Sequence, residues 1–350
     1  VSDVAVVGFA QAPNLRHAAS TTNGVELLVP VFQEVLAATG LSRRDIGFWC
    51  SGSSDYLAGR AFSFVSAVDA IGAYPPIAES HVEMDGAWAL YEAYVKILTG
   101  EADTALAYGF GKSSAGPLRR VLAMQLDPYL VAPLWPDSVS VAALQARLGI
   151  EAGLWSERDM AAVAARSRAA ALTNPAAQLA GRVSTEDLLA APYLADPLRA
   201  HDCAPISDGA AAVILASADR ARQLRERPAW ISGFAHCVDS PALSLRDLTT
   251  APSASAAAGS ADASGVEVAE LHAPFTHQEI VLRRALGLAE TVTVNPSGGA
   301  LCGNPMFAAG LARIGCAARQ VMSGRATRVL AHATSGPALQ QNLVCVMEAR

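Results

Sequence analysis

The chain has 350 residues, 52% of them hydrophobic and 17% charged, with a formal net charge of −6. That suffices for one large domain or two medium ones, and the acidic balance argues against a nucleic-acid partner. Its six cysteines show no CxxC pair and no Cys/His spacing for zinc, so they read as reduced thiols of a cytoplasmic protein, and no apolar run is long enough to span a membrane.

The opening residues, Val1 to Phe9, predict a strand and lack the basic and apolar regions of a signal peptide. Ser51-Gly-Ser-Ser-Asp55-Tyr56 reads as a polar exit from a strand, either a turn with Asx-type hydrogen bonds or an approach to a neighbouring subunit's site. A helix is predicted over residues 86–98, ended by Gly100, with an apolar strand over 104–108. Residues 113–198 form an insertion rich in Pro, Arg and helical runs, of the kind that shapes a substrate site. Within it, Ser156 and Asp159 predict a capped helix over 155–172, and another helix starts at Thr185. Asp208-Gly209 predicts a turn before the last strand of the first half, and a further strand runs over 229–232. Residues 253–265 are nearly all Ala, Ser and Gly, compatible with a weak helix or a mobile loop. Then follow a strand over 266–271, a helix over 306–322, a strand over 328–333 and an apolar strand over 343–347.

The chain repeats itself. Gly8-Phe9-Ala10 is echoed by Gly233-Phe234-Ala235, an offset of 225. Gly100-Glu-Ala-Asp-Thr-Ala-Leu106 is echoed by Gly324-Arg-Ala-Thr-Arg-Val-Leu330, an offset of 224. Two matches at nearly one offset argue for duplicated α/β halves, residues 1–218 and 229–350.

Four blocks carry a family resemblance. They are Pro75-Pro-Ile-Ala-Glu-Ser-His-Val-Glu83-Met-Asp85-Gly86, Asp202-Cys-Ala-Pro-Ile-Ser-Asp208-Gly-Ala-Ala-Ala-Val, Glu270-Leu-His272-Ala-Pro-Phe275 with Glu279, and Asn295-Pro-Ser-Gly-Gly299-Ala-Leu-Cys-Gly303-Asn304-Pro305. They resemble the sterol-carrier-type thiolases and the bacterial lipid-transfer group beside them. The resemblance implies a thiolase fold: duplicated βαβαβαββ halves in five αβαβα layers, with the loop insertion. It also implies a homodimer, with the 86–98 helix and the strand near Ser80 close to the interface.

The departures from that family define the chemistry. The slot of its nucleophilic cysteine falls on Glu83, and a carboxylate cannot form the thioester that a thiolate forms. Asn304 stands for the catalytic histidine, with one residue fewer after Gly299. No thiol lies near residues 330–337, where the family's proton-shuttling cysteine belongs. A two-cysteine Claisen mechanism is therefore not available.

Glu83 reads as a general base, or as an ion-pair member favoured by a helix N-terminus; Asp85 is next in line for either role. His272 reads as an oxyanion donor or a structural strand-end histidine. Asn304 can donate through its amide but cannot act as acid or base. His332 reads as a proton carrier or as a packed core residue, and its repeat-mate Tyr108 as core. Gly299, Gly303 and Gly336 would let the backbone approach a CoA thioester. Arg119 and Arg120 read as a solvated pair, or as partners of a CoA phosphate.

The resemblance implies a retro-aldolase that cleaves a β-hydroxyacyl-CoA side chain of a steroid or other bulky lipid. The alternatives are a non-catalytic CoA-ester or lipid carrier or a subunit supporting an active homologue, and a Claisen-type acyltransferase. No cofactor is implied in this chain. The resemblance also implies a small zinc-ribbon/OB-fold partner associated with acyl-CoA, in a heterotetramer, with any zinc held there.

Overall fold

Val4-Ala-Val-Val-Gly-Phe-Ala has no polar position, the pattern of a strand covered on both faces, and Val4–Gln11 forms β1 with all but its last residue buried. The computed structural model describes residues 3–19, 24–55, 62–129 and 131–350.

The first half continues with α1 (Val25–Thr39), β2 (Phe48–Gly52), α2 (Ser63–Ile71), β3 (Glu79–Val82), α3 (Gly86–Leu98) and β4 (Thr104–Lys112). The insertion holds α4 (Leu118–Ala123), α5 (Ser138–Glu151), α6 (Glu157–Ala170), α7 (Thr185–Leu189) and the short pair β5 (Tyr193–Ala195) and β6 (Leu198–Arg199). β7 (Asp208–Ser217) returns to the sheet, and α8 (Ala218–Leu224) leads into the second half. That half comprises β8 (Ala229–Val238), α9 (Pro252–Ser260), β9 (Val268–Leu271), α10 (Thr276–Ala285), β10 (Thr293–Val294), α11 (Ala309–Met322), β11 (Arg328–Ser335) and β12 (Gln341–Glu348).

Ten strands join in the order β10-β9-β11-β12-β8-β1-β7-β4-β2-β3. Read outward from the β1/β8 seam, the two arms have one pattern. β7 and β12 are antiparallel to both neighbours, β4 and β11 pair in parallel with β2 and β9, and β3 and β10 close the arms in parallel. The seam is short, with Ala5 opposite Trp230 and Val6 opposite Ala229. The buried apolar side chains divide to match. One cluster sits between the two arms and contains the inner helices α3 and α11. A second lies under α1 and α2, and a third under α9 and α10 with α5 of the insertion. This is the α/β thiolase fold.

Several local expectations change. The strand expected over 229–232 runs on to Val238, so Gly233 lies within β8. Asp208 and Gly209 are not a turn: they open β7, opposite Lys112 and Gly111. Asp208 instead takes the main-chain N–H groups of Ala18 and Ser114. The Ala/Ser/Gly stretch is helical over α9, because its small residues pack closely on β8 and β12 and bury Ala254, Ala257 and Ala258. Ser156 does cap α6, donating to Asp159 and accepting from its main-chain N–H. Tyr56 lies outside the described residues; Asp55 caps α2 by accepting from the N–H groups of Phe62 and Ser63. Among the described residues no helix is long and apolar enough to cross a membrane.

Candidate active site

The N-termini of the inner helices meet. α3 begins at Gly86 and α11 at Ala309, and Asp85 stands between them. Its Oδ1 accepts from Ala87 N–H and Leu311 N–H, both at 2.9 Å, and its Oδ2 accepts from Gly310 N–H at 3.0 Å. One carboxylate thus caps two helices, where both dipoles favour negative charge. The approach is tight: a Cβ on Gly310 would lie 2.6 Å from Asp85 Oδ1, and one on Gly86 would lie 2.9 Å from Leu311. Burial pushes the Asp85 carboxyl pKa up, against the pull of those three donors and of Arg313.

Asp85 lines a cavity of about 240 Å³. Its other polar lining includes His272, Asn304, Thr334 and Ser335. His272 follows the end of β9, and its bonds settle its tautomer. The main-chain N–H of Thr334 points at Nδ1 at 3.4 Å, so Nδ1 is the acceptor. Nε2 then carries the hydrogen and donates to Asn304 Oδ1 at 3.0 Å. Burial lowers the His272 pKa to about 4, so the ring is neutral at pH 7. With its carbonyl taken by His272, Asn304 keeps both amide hydrogens for the cavity it lines. Its main chain is fixed by Asn304 N–H donating to Ser207 Oγ at 2.9 Å. Beneath β9, Glu270 and Arg313 form a fully buried ion pair at 3.0 Å, with Ser297 donating to Glu270 from both N–H and Oγ. Such a pair would be costly to break from one side, and it holds α11 against the strand that presents His272.

The remaining wall is largely apolar and much of it comes from the insertion: Leu118, Leu122 and Leu126 beside α4 and its end, Val139 and Ala142 on α5. The insertion therefore shapes the cavity. Arg119 also lines it and pairs with Asp137 at 3.3 Å.

Other sequence candidates fall elsewhere. Glu83 is half-exposed and outside the cavity lining; it accepts from Asp55 N–H at 3.0 Å and lies 3.5 Å from His81. It lies in the bend that follows β3, whereas the residue at the helix start is Asp85, two positions on. The three-residue spacing to Gly86 puts the cysteine slot on Glu83, whereas the carboxylate that lines the cavity is Asp85. His332 is fully buried and outside the lining, with Nε2 donating to Asn342 Oδ1 at 2.9 Å. Burial drops its pKa to about 3, which suits a packed core histidine rather than a proton carrier. Gly336 lines the cavity, but Gly299 and Gly303 do not. A Cβ on Gly303 would lie 2.2 Å from Asn14 Nδ2, so that glycine permits packing. Sequence reasoning missed Cys203, which lines the cavity with its thiol pushed up to about 12 by burial. It also missed Gln278, whose place in the wall had no signal in the linear sequence.

No family model matches the chain. It is similar to an acetyl-CoA acetyltransferase of Methanothermobacter thermautotrophicus, 29% identical over 68% of this chain and 70% of that protein. It is also similar to the 17-hydroxy-3-oxo-4-pregnene-20-carboxyl-CoA lyase of Mycobacterium tuberculosis, 33% identical over 41% of this chain and 40% of the lyase. Among solved structures, the Ltp2-ChsH2(DUF35) aldolase superposes with a TM-score of 0.82 at 20% identity, covering 99% of this chain and 98% of that one. The chain thus has the thiolase fold and is similar in sequence to thiolase-type enzymes. It is also similar to sterol carrier protein 2 of Bos taurus, 25% identical over 65% of this chain and 49% of that protein.

Proposed function

We propose that the chain is an acyl-CoA lyase that cleaves a β-hydroxyacyl thioester by a retro-aldol step without a covalent intermediate. One observation carries the reading: a carboxylate, Asp85, stands at the meeting of two helix N-termini and lines a cavity that the Asn304 amide also lines. In this step a base takes the β-hydroxyl proton, the hydroxyl oxygen becomes a carbonyl, and the Cα–Cβ bond breaks. The electron pair passes to the thioester oxygen as an enolate, which then takes a proton at Cα. Asn304 Nδ2 would hold the enolate oxygen, with His272 fixing the amide's orientation; preorganised donors of this kind are usually the largest catalytic contribution. Asp85 is the one carboxylate lining the cavity among the described residues, and its Oδ2 carries a single main-chain donor, which leaves it room to accept a proton. The apolar wall from the insertion suits a bulky, branched or polycyclic acyl group, such as a steroid side chain. The lyase of Mycobacterium tuberculosis and the Ltp2-ChsH2(DUF35) aldolase, by their names, perform cleavage of this class. The second of these also supports a partner subunit for this chain.

The acetyl-CoA acetyltransferase relative favours a second reading, acyl transfer. It would need a thiolate, and Cys203, the one cysteine lining the cavity among the described residues, has a pKa of about 12. One assay tests the first reading. The purified chain, alone and with its genomic neighbours, is mixed with a tertiary β-hydroxyacyl-CoA, and the released shorter acyl-CoA is followed. Release with equimolar ketone is expected. Thiolysis of a β-ketoacyl-CoA without any lyase activity would replace this reading with the second.

A further inference from the structure

Gln278, in the first turn of α10, lines the cavity and is 4% exposed. The direction of its side-chain amide is fixed by a chain of bonds. Gln145 of α5 donates through Nε2 to the main-chain carbonyl of Leu248 at 2.8 Å. A carbonyl can only accept, so Gln145 must present Oε1 on its other side. That oxygen accepts from His277 Nε2 and from Gln278 Nε2, each at 3.0 Å. Gln278 therefore turns its amide nitrogen toward Gln145, using one of its two hydrogens there, and leaves Oε1 as its other end. This Oε1 is buried without a hydrogen-bond partner. The cavity that Gln278 lines also has Val139, Ala142 and Phe275 in its wall. An unpaired buried acceptor is a standing cost that a ligand donor would relieve.

We propose that Gln278 selects acyl chains that carry a hydroxyl, which donates to its Oε1. This inference rests on reading the cavity as an acyl-CoA site and adds a specificity determinant to it. An alkyl chain at that point leaves the oxygen unpaired. A keto or ether oxygen sets acceptor against acceptor. Only a donor satisfies both sides, and a site built for a hydroxyl discriminates strongly against analogues that lack it.

The test uses octyl-CoA thioethers, which lack the thioester carbonyl and cannot be cleaved, so recognition is read apart from lyase chemistry. One hydroxyl is moved along the chain from the fourth to the eighth carbon, beyond the β position that Asp85 would meet, and affinity is measured by calorimetry on the wild-type protein. One position, or two adjacent ones, is expected to bind ~5-fold or more tighter than the unsubstituted chain. The methyl ether at that position should lose the gain, because it has no donor. Gln278→Met should abolish the preference while binding the unsubstituted chain at least as well as the wild type. No preference at any position, a preference kept by the methyl ether or by Gln278→Met, or no binding of any thioether would overturn the inference. The wild-type series needs no variant, so a Gln278→Met protein that fails to fold leaves the test intact. A hydroxyl preference without lyase activity would keep this inference and remove the lyase reading. Lyase activity without the preference would do the reverse.

Discussion

Gly310 donates its main-chain N–H to Asp85 Oδ2 at 3.0 Å across 225 residues of chain, the same offset that separates Gly8 from its repeat-mate Gly233. The two inner helices thus share one carboxylate at their facing N-termini. The same contact ties the halves of the fold together and places a negative group at the floor of the cavity.

Asp85→Asn is expected to lower turnover by ~10²–10⁴-fold, the range for general acid–base groups. Asparagine keeps one acceptor oxygen, so secondary structure should survive, while Tm falls because two helix caps weaken. Steady-state kinetics with a thermal melt checks both. Turnover within a few-fold of wild type would reduce Asp85 to a cap.

Asn304→Asp removes the donors and keeps the shape, and is expected to cost ~10²–10³-fold in turnover, as for loss of an oxyanion donor. His272→Ala frees the Asn304 carbonyl and should cost less, because His272 orients the amide and has no spare N–H of its own. Equal losses in the two variants would point to a direct role for the histidine.

Glu83→Gln is expected to leave turnover near wild type, since this half-exposed side chain lies outside the cavity and bonds Asp55. A loss of ~10²-fold or more, in the general acid–base range, would restore Glu83 as the base.

The repeat, the inner helices and the central strands were legible because apolar runs and glycine stops are local signals. Asp208 was misread because Asp-Gly is usually a turn, and the bonds that keep it in β7 come from Ala18 and Ser114, far away in sequence. Motif spacing located the His272 and Asn304 blocks, but it could not say that one side chain orients the other. It chose Glu83 over Asp85 because spacing counts residues, whereas the cavity is set by where β3 ends and α3 is capped. Gln278 was illegible, since its free oxygen follows from bonds to Gln145 on another element.

The last prediction concerns acid. Burial lowers the pKa of His272 to about 4 and those of His277 and His332 to about 3, against 6.5 for the ordinary imidazole. Each folded-state pKa is thus depressed. The unfolded chain binds these protons first, so the contribution to stability is full above pH 6.5 and is lost as pH falls toward 4 and then 3. Each histidine adds a slope of ~1.4 kcal/mol per pH unit within its window. Tm should therefore be flat near pH 7.5 and drop progressively from about pH 6 to 4.5, before most carboxylates titrate. His332→Gln removes one such group while keeping a side chain that can donate to Asn342. Urea titrations at several pH values should give this variant a shallower fall, by about one proton, with lyase turnover at pH 7.5 retained because His332 lies outside the cavity. An unchanged slope in His332→Gln would mean that this histidine is protonated in the folded protein, and would return it to consideration as a proton carrier.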